Sequence, residues 1–246
     1  MSGLPVILVT GASQGIGAAI ARHLSASHRV AVMARSEKVE QLAEEIGAFA
    51  FRGSLLDEND IASFVTAAQA HFGRIDGLVL NPGHAPLSLR DDGVATDSVT
   101  EGLGDISDAD WQGGFDMMFF SLSRMLRHVL PVLKSTGGGS ILSISTFAAR
   151  EPKLSYPVSS VTRAATLAMV KMQAEILGRD GIRINSLLPG YIENWKQPES
   201  LVSSIPMKRL GQLEEIARTA EFLLSDASGY ITGQAILADG GVTRGI

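Results

Sequence analysis

The strongest structural signal in the sequence is the octapeptide Thr10-Gly11-Ala12-Ser13-Gln14-Gly15-Ile16-Gly17. It follows an apolar run that ends at Val9, and it leads into a segment in which Ile16, Ile20 and Leu24 recur at helical spacing. Glycines at a strand-to-helix turn let the backbone approach a pyrophosphate, and the amides at the helix start bind it. The octapeptide therefore predicts a dinucleotide site that includes Gly11, Ser13, Gln14, Gly15, Ile16 and Gly17.

Short apolar runs alternate with segments of helical periodicity along the chain. The predicted strands are Pro5–Thr10, Val30–Ala34, Phe49–Arg52, Gly77–Asn81, Ser140–Ser145, Arg183–Pro189 and Ala235–Ala238. The predicted helices are Gly15–Ser25, Glu37–Ile46, Asp57–Phe72, Asp108–Lys134, Ser155–Gly178 and Leu213–Ser225. Continuously apolar strands alternating with helices indicate a parallel sheet with right-handed crossovers. We expect an α/β protein, a single Rossmann domain over residues 1–246, with a doubly wound parallel sheet of about seven strands and helices on both faces.

Two polar connections interrupt this alternation, at residues 83–107 and 191–206. Both follow predicted strands, and ligands of open parallel sheets bind outside the carboxyl ends of the strands. We therefore expect the two loops to form substrate walls or a lid. The alternative is that both are surface insertions without a role in binding.

The composition limits the classes of protein and partner. Of the 246 residues, 45% are hydrophobic and 19% are charged, which is typical of a globular protein with an ample core. No segment has the roughly 20 consecutive apolar residues of a membrane span. The absence of cysteine excludes disulfides and thiolate metal sites, so we expect a cytoplasmic protein without a metal site. A net charge of -5 with scattered basic residues argues against nucleic acid and leaves a small molecule as the expected partner.

The T-G-x-x-x-G-x-G spacing of the octapeptide resembles the short-chain dehydrogenase/reductase family. Further similarities follow in order at residues 80–83 (LNPG), 181–185 (GIRIN), 189–190 (PG), 206–211 (PMKRLG) and 239–241 (DGG). The resemblance implies an oxidoreductase that transfers a hydride between a nicotinamide cofactor and a carbonyl, an alcohol or an activated double bond, similar to 3-oxoacyl or enoyl reductases. It also implies cofactor contacts from Asn81, Gly83, Pro189, Gly190 and Ile192.

The end of the second predicted strand bears on the choice of cofactor. An acidic residue there would bind the ribose hydroxyls of NAD(H) and repel a 2′-phosphate, whereas this chain has Arg35 and Ser36. A guanidinium pairs well with phosphate, so we expect NADP(H) rather than NAD(H). In the alternative, Arg35 is solvated and NAD(H) binds without an acidic anchor. Ser54 and Leu55 occupy the adenine edge, where the family commonly has Asp followed by an aliphatic residue.

The catalytic pattern of the family is a strand-end Ser, a Y-x-x-x-K helix and an Asn on the preceding helix. Here Thr146, with Ser145 beside it, occupies the Ser position, and the spacing places Ser159 and Arg163 at the Tyr and Lys positions. Met118 occupies the Asn position. We expect Met118 neither to bind a relay water nor to hold the local kink of that helix.

Tyr156 offers a second route to the same chemistry. The Y-x6-R spacing from Tyr156 to Arg163 resembles the Y-x6-K spacing of enoyl reductases, and seven helical residues turn through about 700°, which leaves both side chains on one face. We expect Tyr156 or an ordered water to donate a proton, Arg163 to bind the nicotinamide ribose and stabilise a tyrosinate, and Thr146 or Ser145 to bind the reacting oxygen. In the alternatives, Tyr156 only starts a helix, Arg163 forms a surface ion pair and the two hydroxyls end a strand.

Two further possibilities concern activity and assembly. The lost Asn, Tyr and Lys also allow a catalytically impaired cofactor-binding protein that acts as a partner subunit or redox sensor, and a non-redox enzyme such as a dehydratase or dehalogenase is the third hypothesis. The resemblance implies a homodimer or homotetramer formed through the helices at 108–134 and 155–178. These helices carry apolar residues beyond one face, namely Met117, Phe119, Phe120, Leu167, Met169 and Met172.

Overall fold

Seven parallel strands form one sheet in the order β3-β2-β1-β4-β5-β6-β7. The structure is a computed structural model that describes residues 3–83 and 103–245. The strands are β1 (Val6–Thr10), β2 (Arg29–Ala34), β3 (Phe49–Arg52), β4 (Gly77–Leu80), β5 (Gly139–Ile144), β6 (Ile182–Pro189) and β7 (Ala235–Ala238). The helices are α1 (Gly15–Leu24), α2 (Lys38–Ile46), α3 (Glu58–Phe72), α4 (Asp108–Phe115), α5 (Ser121–Thr136), α6 (Pro157–Leu177), α7 (Glu199–Ser204) and α8 (Leu213–Leu224). The predicted α/β class and parallel sheet are confirmed, and every predicted strand boundary lies within one residue of the observed one.

Helices cover both faces of the sheet because successive strand side chains point to opposite sides. On one face Val9, Val32 and Leu142 pack against α1, α2 and α8. On the other face Leu8 and Ile141 pack among buried residues of α3, α5 and α6. No helix within residues 3–83 and 103–245 combines the length and apolar character needed to cross a membrane.

The strand order reverses between β1 and β4, which are neighbours in the sheet. The chain proceeds outward from β1 to β2 and β3 on one side, and from β4 to β7 on the other. Connections leave in opposite directions at this point, so a crevice opens outside the carboxyl ends of the two central strands. The crevice is where the glycine-rich octapeptide lies.

The predicted helix at 108–134 contains a π-helical turn at Asp116–Phe120, between α4 and α5. The irregular turn is therefore present although Met118 occupies the Asn position of the family pattern. The Ser121 hydroxyl donates to the Met117 carbonyl at 2.6 Å, and the Thr166 hydroxyl donates to the Met118 carbonyl at 3.3 Å. The wider π-helical turn leaves carbonyl oxygens without their usual helical partners, and these two hydroxyl groups donate to them. The turn therefore forms without an Asn side chain.

Arg183 joins β6 to the end of α8. Its guanidinium donates to the carbonyl oxygens of Leu223, Leu224, Ser225 and Ile231 at 3.0–3.3 Å. The last carbonyls of a helix have no intrahelical donor, and a cation there also opposes the negative end of the helix dipole. The arginine of the GIRIN segment therefore has a structural role.

We predict that Arg183→Met lowers the free energy of unfolding by about 2–4 kcal/mol, because it leaves several carbonyl oxygens without a donor. Urea denaturation followed by circular dichroism measures this change. The matched control is Arg218→Met on α8, whose ion pair with Glu214 is largely solvent-exposed and should contribute less than about 0.5 kcal/mol. Equal free energies of unfolding for the two variants would contradict the conclusion that Arg183 stabilises the contact between β6 and the end of α8.

Candidate active site

One cavity of about 860 Å³ lies at the carboxyl ends of the sheet. Its size is within the range of small-molecule and cofactor sites. Every residue predicted to contact the cofactor lines it except Gly17, and so do the predicted catalytic residues. The lining residues predicted from the sequence are Gly11, Ser13, Gln14, Gly15, Ile16, Arg35, Ser36, Ser54, Leu55, Asn81, Gly83, Ser145, Thr146, Tyr156, Arg163, Pro189, Gly190 and Ile192.

The glycine-rich turn is packed too tightly for side chains at two positions. Gly11 has a φ of +60°, and a Cβ atom there would lie 2.2 Å from the Asn81 carbonyl oxygen. A Cβ atom on Gly17 would lie 2.4 Å from the Gly11 carbonyl oxygen, so only glycine at position 17 lets α1 pack this closely against the turn. The Asn81 side chain donates to the same Gly11 oxygen at 3.2 Å. These contacts hold the turn against the end of β4.

The start of α1 faces the cavity without a carboxylate in its first turn and without a side-chain cap. Backbone N–H groups at such a helix start form an anion site, which the helix dipole reinforces. A pyrophosphate group therefore fits the chemistry of this part of the cavity.

The end of β2 contributes cationic and hydroxyl groups. Arg35, Ser36 and Lys38 line the cavity there, and none of the described lining residues is Asp, Glu or His. Ser54 forms a local turn, since its hydroxyl accepts from the Leu56 amide at 3.1 Å. Lys38 is absent from the predicted site, although a basic residue at the start of a helix that follows Arg35 is a signal that could have identified it.

Arg163 is buried at the opposite end of the cavity, with 8% of its surface exposed. Its Nη1 donates to the Ile144 carbonyl at 2.9 Å, its Nη2 donates to the Gly83 carbonyl at 3.3 Å, and its Nε donates to the Ser159 hydroxyl at 3.2 Å. Burial lowers the pKa of Arg163 to about 10, so the group stays charged at neutral pH. The guanidinium therefore ties α6 to the ends of β4 and β5.

Tyr156 precedes α6 and lies outside the helix, with φ -139° and ψ 56°. The same-face relation to Arg163, which the spacing predicts for one continuous helix, therefore does not apply to the backbone at Tyr156. Tyr156 lines the cavity, and burial raises the pKa of its phenol above the ordinary value. At neutral pH the side chain is consequently a protonated phenol, which is the form that donates a proton.

Several lining residues were not singled out as site residues by the sequence. Tyr191 packs against Phe147 with ring centroids 5.1 Å apart and ring planes tilted by 56°, and burial together with Tyr156 raises the pKa of Tyr191. Trp195 lines the cavity from the 191–206 loop, which supports the prediction that this loop forms a wall. Most of the other predicted loop, residues 84–102, lies outside the described residues. Ser159 also lines the cavity beside Arg163.

A nicotinamide dinucleotide fits the groups that this cavity presents. The amides at the start of α1 suit the pyrophosphate, and the cations at the end of β2 suit the adenosine end. Hydroxyl groups at the ends of β5 and α6 can donate to the oxygen of a substrate.

Comparisons with known proteins agree with this geometry. The family model described as enoyl-(acyl carrier protein) reductase matches residues 11–243. The 3-oxoacyl-(acyl-carrier-protein) reductase FabG of Staphylococcus aureus (strain Mu50) is 30% identical over 250 residues, which cover 96% of this chain and 96% of that protein.

Solved structures show the same fold. A short-chain oxidoreductase from Pseudomonas aeruginosa PAO1 that contains an atypical catalytic center and binds NADPH is similar with a TM-score of 0.87 and 28% identity, over 98% of both chains. A 7α-hydroxysteroid dehydrogenase in complex with NADH and a 7-oxo bile acid is similar with a TM-score of 0.86 and 28% identity, over 96% of this chain and 93% of that chain. This chain therefore belongs to the short-chain dehydrogenase/reductase family and is a nicotinamide-dependent oxidoreductase.

Proposed function

We propose that this protein uses NADP(H) to reduce a small carbonyl compound in the cytoplasm, with Tyr156 as the proton donor. The observation that carries the proposal is the division of one cavity into a cationic end at Arg35 and Lys38 and a hydroxyl-lined end at Tyr156. The cytoplasmic location is supported by the lack of cysteine. The reductase names of the family model and of FabG favour thioester substrates, either 3-oxoacyl or enoyl.

The preference for NADP(H) rests on charge. A 2′-phosphate brings negative charge that Arg35 and Lys38 can neutralise, while Ser36 adds a hydroxyl donor. No described lining residue is acidic, so nothing at this end repels the phosphate. NAD(H) lacks the phosphate and would leave both cations without their partner.

We predict that Arg35→Ala raises the Kd of NADPH by about 10–100-fold, because charge-assisted hydrogen bonds to phosphate are lost. The Kd of NADH should change less than about threefold. Isothermal titration calorimetry measures both values. Arg52→Ala, at the end of β3 and outside the cavity, is the control and should leave both affinities unchanged. An equal loss of affinity for NADH and NADPH would show that Arg35 does not recognise the 2′-phosphate.

The choice of proton donor rests on which side chains that line the cavity carry a proton that they can transfer. Bound NADPH supplies a hydride to the carbonyl carbon, and the carbonyl oxygen then needs a proton. The Arg163 guanidinium directs its hydrogen bonds to protein oxygens of Ser159, Ile144 and Gly83, so it is not placed to transfer a proton to a substrate. Tyr156 keeps its phenolic proton because burial raises its pKa. It can donate that proton to the substrate oxygen and recover one from water.

We predict that Tyr156→Phe lowers kcat for acetoacetyl-CoA reduction by about 100-fold or more, while the Kd of NADPH stays unchanged. Because the phenol is the active form, the wild-type rate should stay constant from neutral pH to about pH 10 and fall only above it. The loss of absorbance at the NADPH band measures kcat of the variant and the pH dependence of the wild-type rate. The same assay with crotonyl-CoA as the substrate tests the enoyl alternative. The control is Tyr230→Phe, since Tyr230 is fully exposed. Unchanged turnover in Tyr156→Phe would remove Tyr156 as the donor.

We further propose that the protein forms a homodimer or homotetramer through α5, α6 and the π-helical turn. Phe120, Met172 and Ile176 are exposed large apolar side chains on these elements, and Met172 has 66% of its surface exposed. The other predicted contact residues are less available, since Met117 lines the cavity and Met169 packs against the core. Apolar patches of this kind mark association surfaces, and most soluble oligomers are symmetric homo-oligomers.

We predict that Met172→Glu converts the oligomer to a single chain, because a carboxylate would be buried without a partner at the interface. Light scattering after size-exclusion chromatography measures the mass. The control is Leu4→Glu, at an exposed apolar residue near β1 that lies away from α5 and α6. An unchanged mass for Met172→Glu would contradict association through α6.

A further inference from the structure

Tyr156 belongs to a turn that lies in front of α6. The Tyr156 amide donates to the Lys153 carbonyl at 3.0 Å, and the Tyr156 carbonyl accepts from the Ser160 amide at 2.8 Å. The backbone of Tyr156 is not helical, so the hydrogen bonds within α6 do not by themselves set the direction of its side chain. The position of the phenol therefore depends on the residues that hold this turn.

Ser160 anchors the turn to α6. Only 2% of Ser160 is exposed, and its hydroxyl accepts from the Lys153 amide at 3.1 Å. The same hydroxyl lies 3.5 Å from the Lys153 carbonyl, to which it can donate. A backbone amide that lost this partner in a buried position would destabilise the turn. The residue that holds the Tyr156 amide is thus itself tied to the helix.

Glu151 holds the side chain of Lys153. The two side chains form an ion pair, and both are partly buried. The Lys153 ammonium also lies 5.8 Å from the ring centre of Phe147, which lines the cavity, and a cation is attracted to the face of an aromatic ring. The hydrogen bond from Lys153, and after it the one from the Arg244 amide, lowers the pKa of Glu151, so the carboxylate is charged at neutral pH.

The segment after β7 supplies the second partner of Glu151. The Arg244 amide donates to Oε2 of Glu151 at 2.8 Å. Asp239 shapes this segment, since its carboxylate accepts from the Gly241 amide at 2.9 Å and from the Thr243 amide at 2.8 Å. None of the described residues from 239 to 245 lines the candidate active-site cavity. The segment can therefore influence the reaction only through other residues.

We propose that Ser160, Lys153 and Glu151 are positioning residues for Tyr156, and that the segment at residues 239–244 supports them through Glu151. The proposal rests on the proposed function, in which Tyr156 donates the proton. None of these residues occupies a position of the family's catalytic pattern, and none changes its own bonds during the reaction. They hold the phenol where it can reach the substrate oxygen.

The position of the phenol decides the rate of proton transfer. A donor must lie within about 2.6–3.2 Å of the atom that it protonates, and a displacement of about 1 Å can lower a rate by about 100-fold. The groups that suit the cofactor phosphates lie at the start of α1 and the end of β2, away from this turn. A looser turn should therefore slow the reaction without weakening the binding of NADPH.

The first test compares two buried serines. Ser160→Ala removes the acceptor of the Lys153 amide. Ser228→Ala is the control, because Ser228 is 1% exposed, its hydroxyl donates to the carbonyls of Leu223 and Ser225, and it lies outside the cavity. We expect Ser160→Ala to lower kcat for acetoacetyl-CoA by about 10–100-fold, while KM and the Kd of NADPH change less than about twofold. Ser228→Ala should keep the wild-type kcat.

The second test isolates one amide hydrogen. Arg244→Pro removes the N–H group that Glu151 accepts from, whereas Arg244→Ala keeps it, and both variants lose the guanidinium. We expect kcat of Arg244→Pro to be about 3–10-fold below that of Arg244→Ala. Adding Ser160→Ala or Arg244→Pro to Tyr156→Phe should lower the residual kcat less than about twofold, because both act through the phenol. A general loss of structure would give the full additional loss.

A titration of the phenol provides a readout without turnover. Burial raises the pKa of Tyr156 in the wild-type protein. The difference in alkaline absorbance between each protein and its Tyr156→Phe counterpart follows the ionisation of this one phenol. In Ser160→Ala and Arg244→Pro the pKa of Tyr156 should fall toward its ordinary value, because a loosened turn exposes the ring to water.

Wild-type kcat and an unshifted phenol titration in Ser160→Ala, with Tyr156→Phe still impaired, would overturn the positioning role and leave carbonyl reduction intact. A loss that persists at full size in the Tyr156→Phe background would overturn it as well. Equal kcat and equal titrations for Arg244→Pro and Arg244→Ala would overturn the part assigned to the segment at residues 239–244. Absence of carbonyl turnover in the wild-type protein would instead contradict the proposed function, and the titration would still decide whether these residues hold Tyr156.

Discussion

Arg163 brings a full positive charge to a position where 8% of the residue is exposed. No carboxylate of the described residues pairs with it, and its terminal nitrogens donate instead to the carbonyls of Gly83 and Ile144. A buried charge is unfavourable unless hydrogen bonds compensate for lost hydration, and carbonyl oxygens beyond strand ends are available because the sheet does not use them. The fixed fork of donors joins β4, β5 and α6 at one point, so the geometry of the hydroxyl-lined end depends on this contact.

The fold and the cofactor end were predictable because their constraints are local in the sequence. Strands such as Val6–Thr10 are buried on both faces, so their residues are continuously apolar and can be recognised without tertiary information. The glycine-rich turn is equally local, since Gly11 and Gly17 have no room for a Cβ atom. The short helix α7 within the 191–206 loop was not predicted, because six residues are too few to show helical periodicity.

The catalytic end was harder to predict because its contacts are distant in the sequence or depend on exact backbone angles. Pro157 disfavours helical angles at the residue before it, so Tyr156 leaves the helical path on which the spacing argument relied. The turn around Met118 is stabilised by Thr166, which is 48 residues away. The spacing places Ser159 at the Tyr position of the family pattern, but its hydrogen bond with Arg163 could be found only in the structure.

In the Y-x-x-x-K pattern one phenol both donates a hydrogen bond to the substrate oxygen and supplies its proton. This chain has Ser159 and Arg163 at the Tyr and Lys positions, so no phenol lies there to do both. A serine hydroxyl held by a guanidinium can donate a hydrogen bond, but it is a far weaker acid than a phenol, and the guanidinium itself donates to protein oxygens. The phenol of Tyr156 lines the same cavity and stays protonated because burial raises its pKa, which makes it the candidate proton donor of the proposed reaction. The proposed reduction therefore relies on a phenol that lies outside the Y-x-x-x-K position.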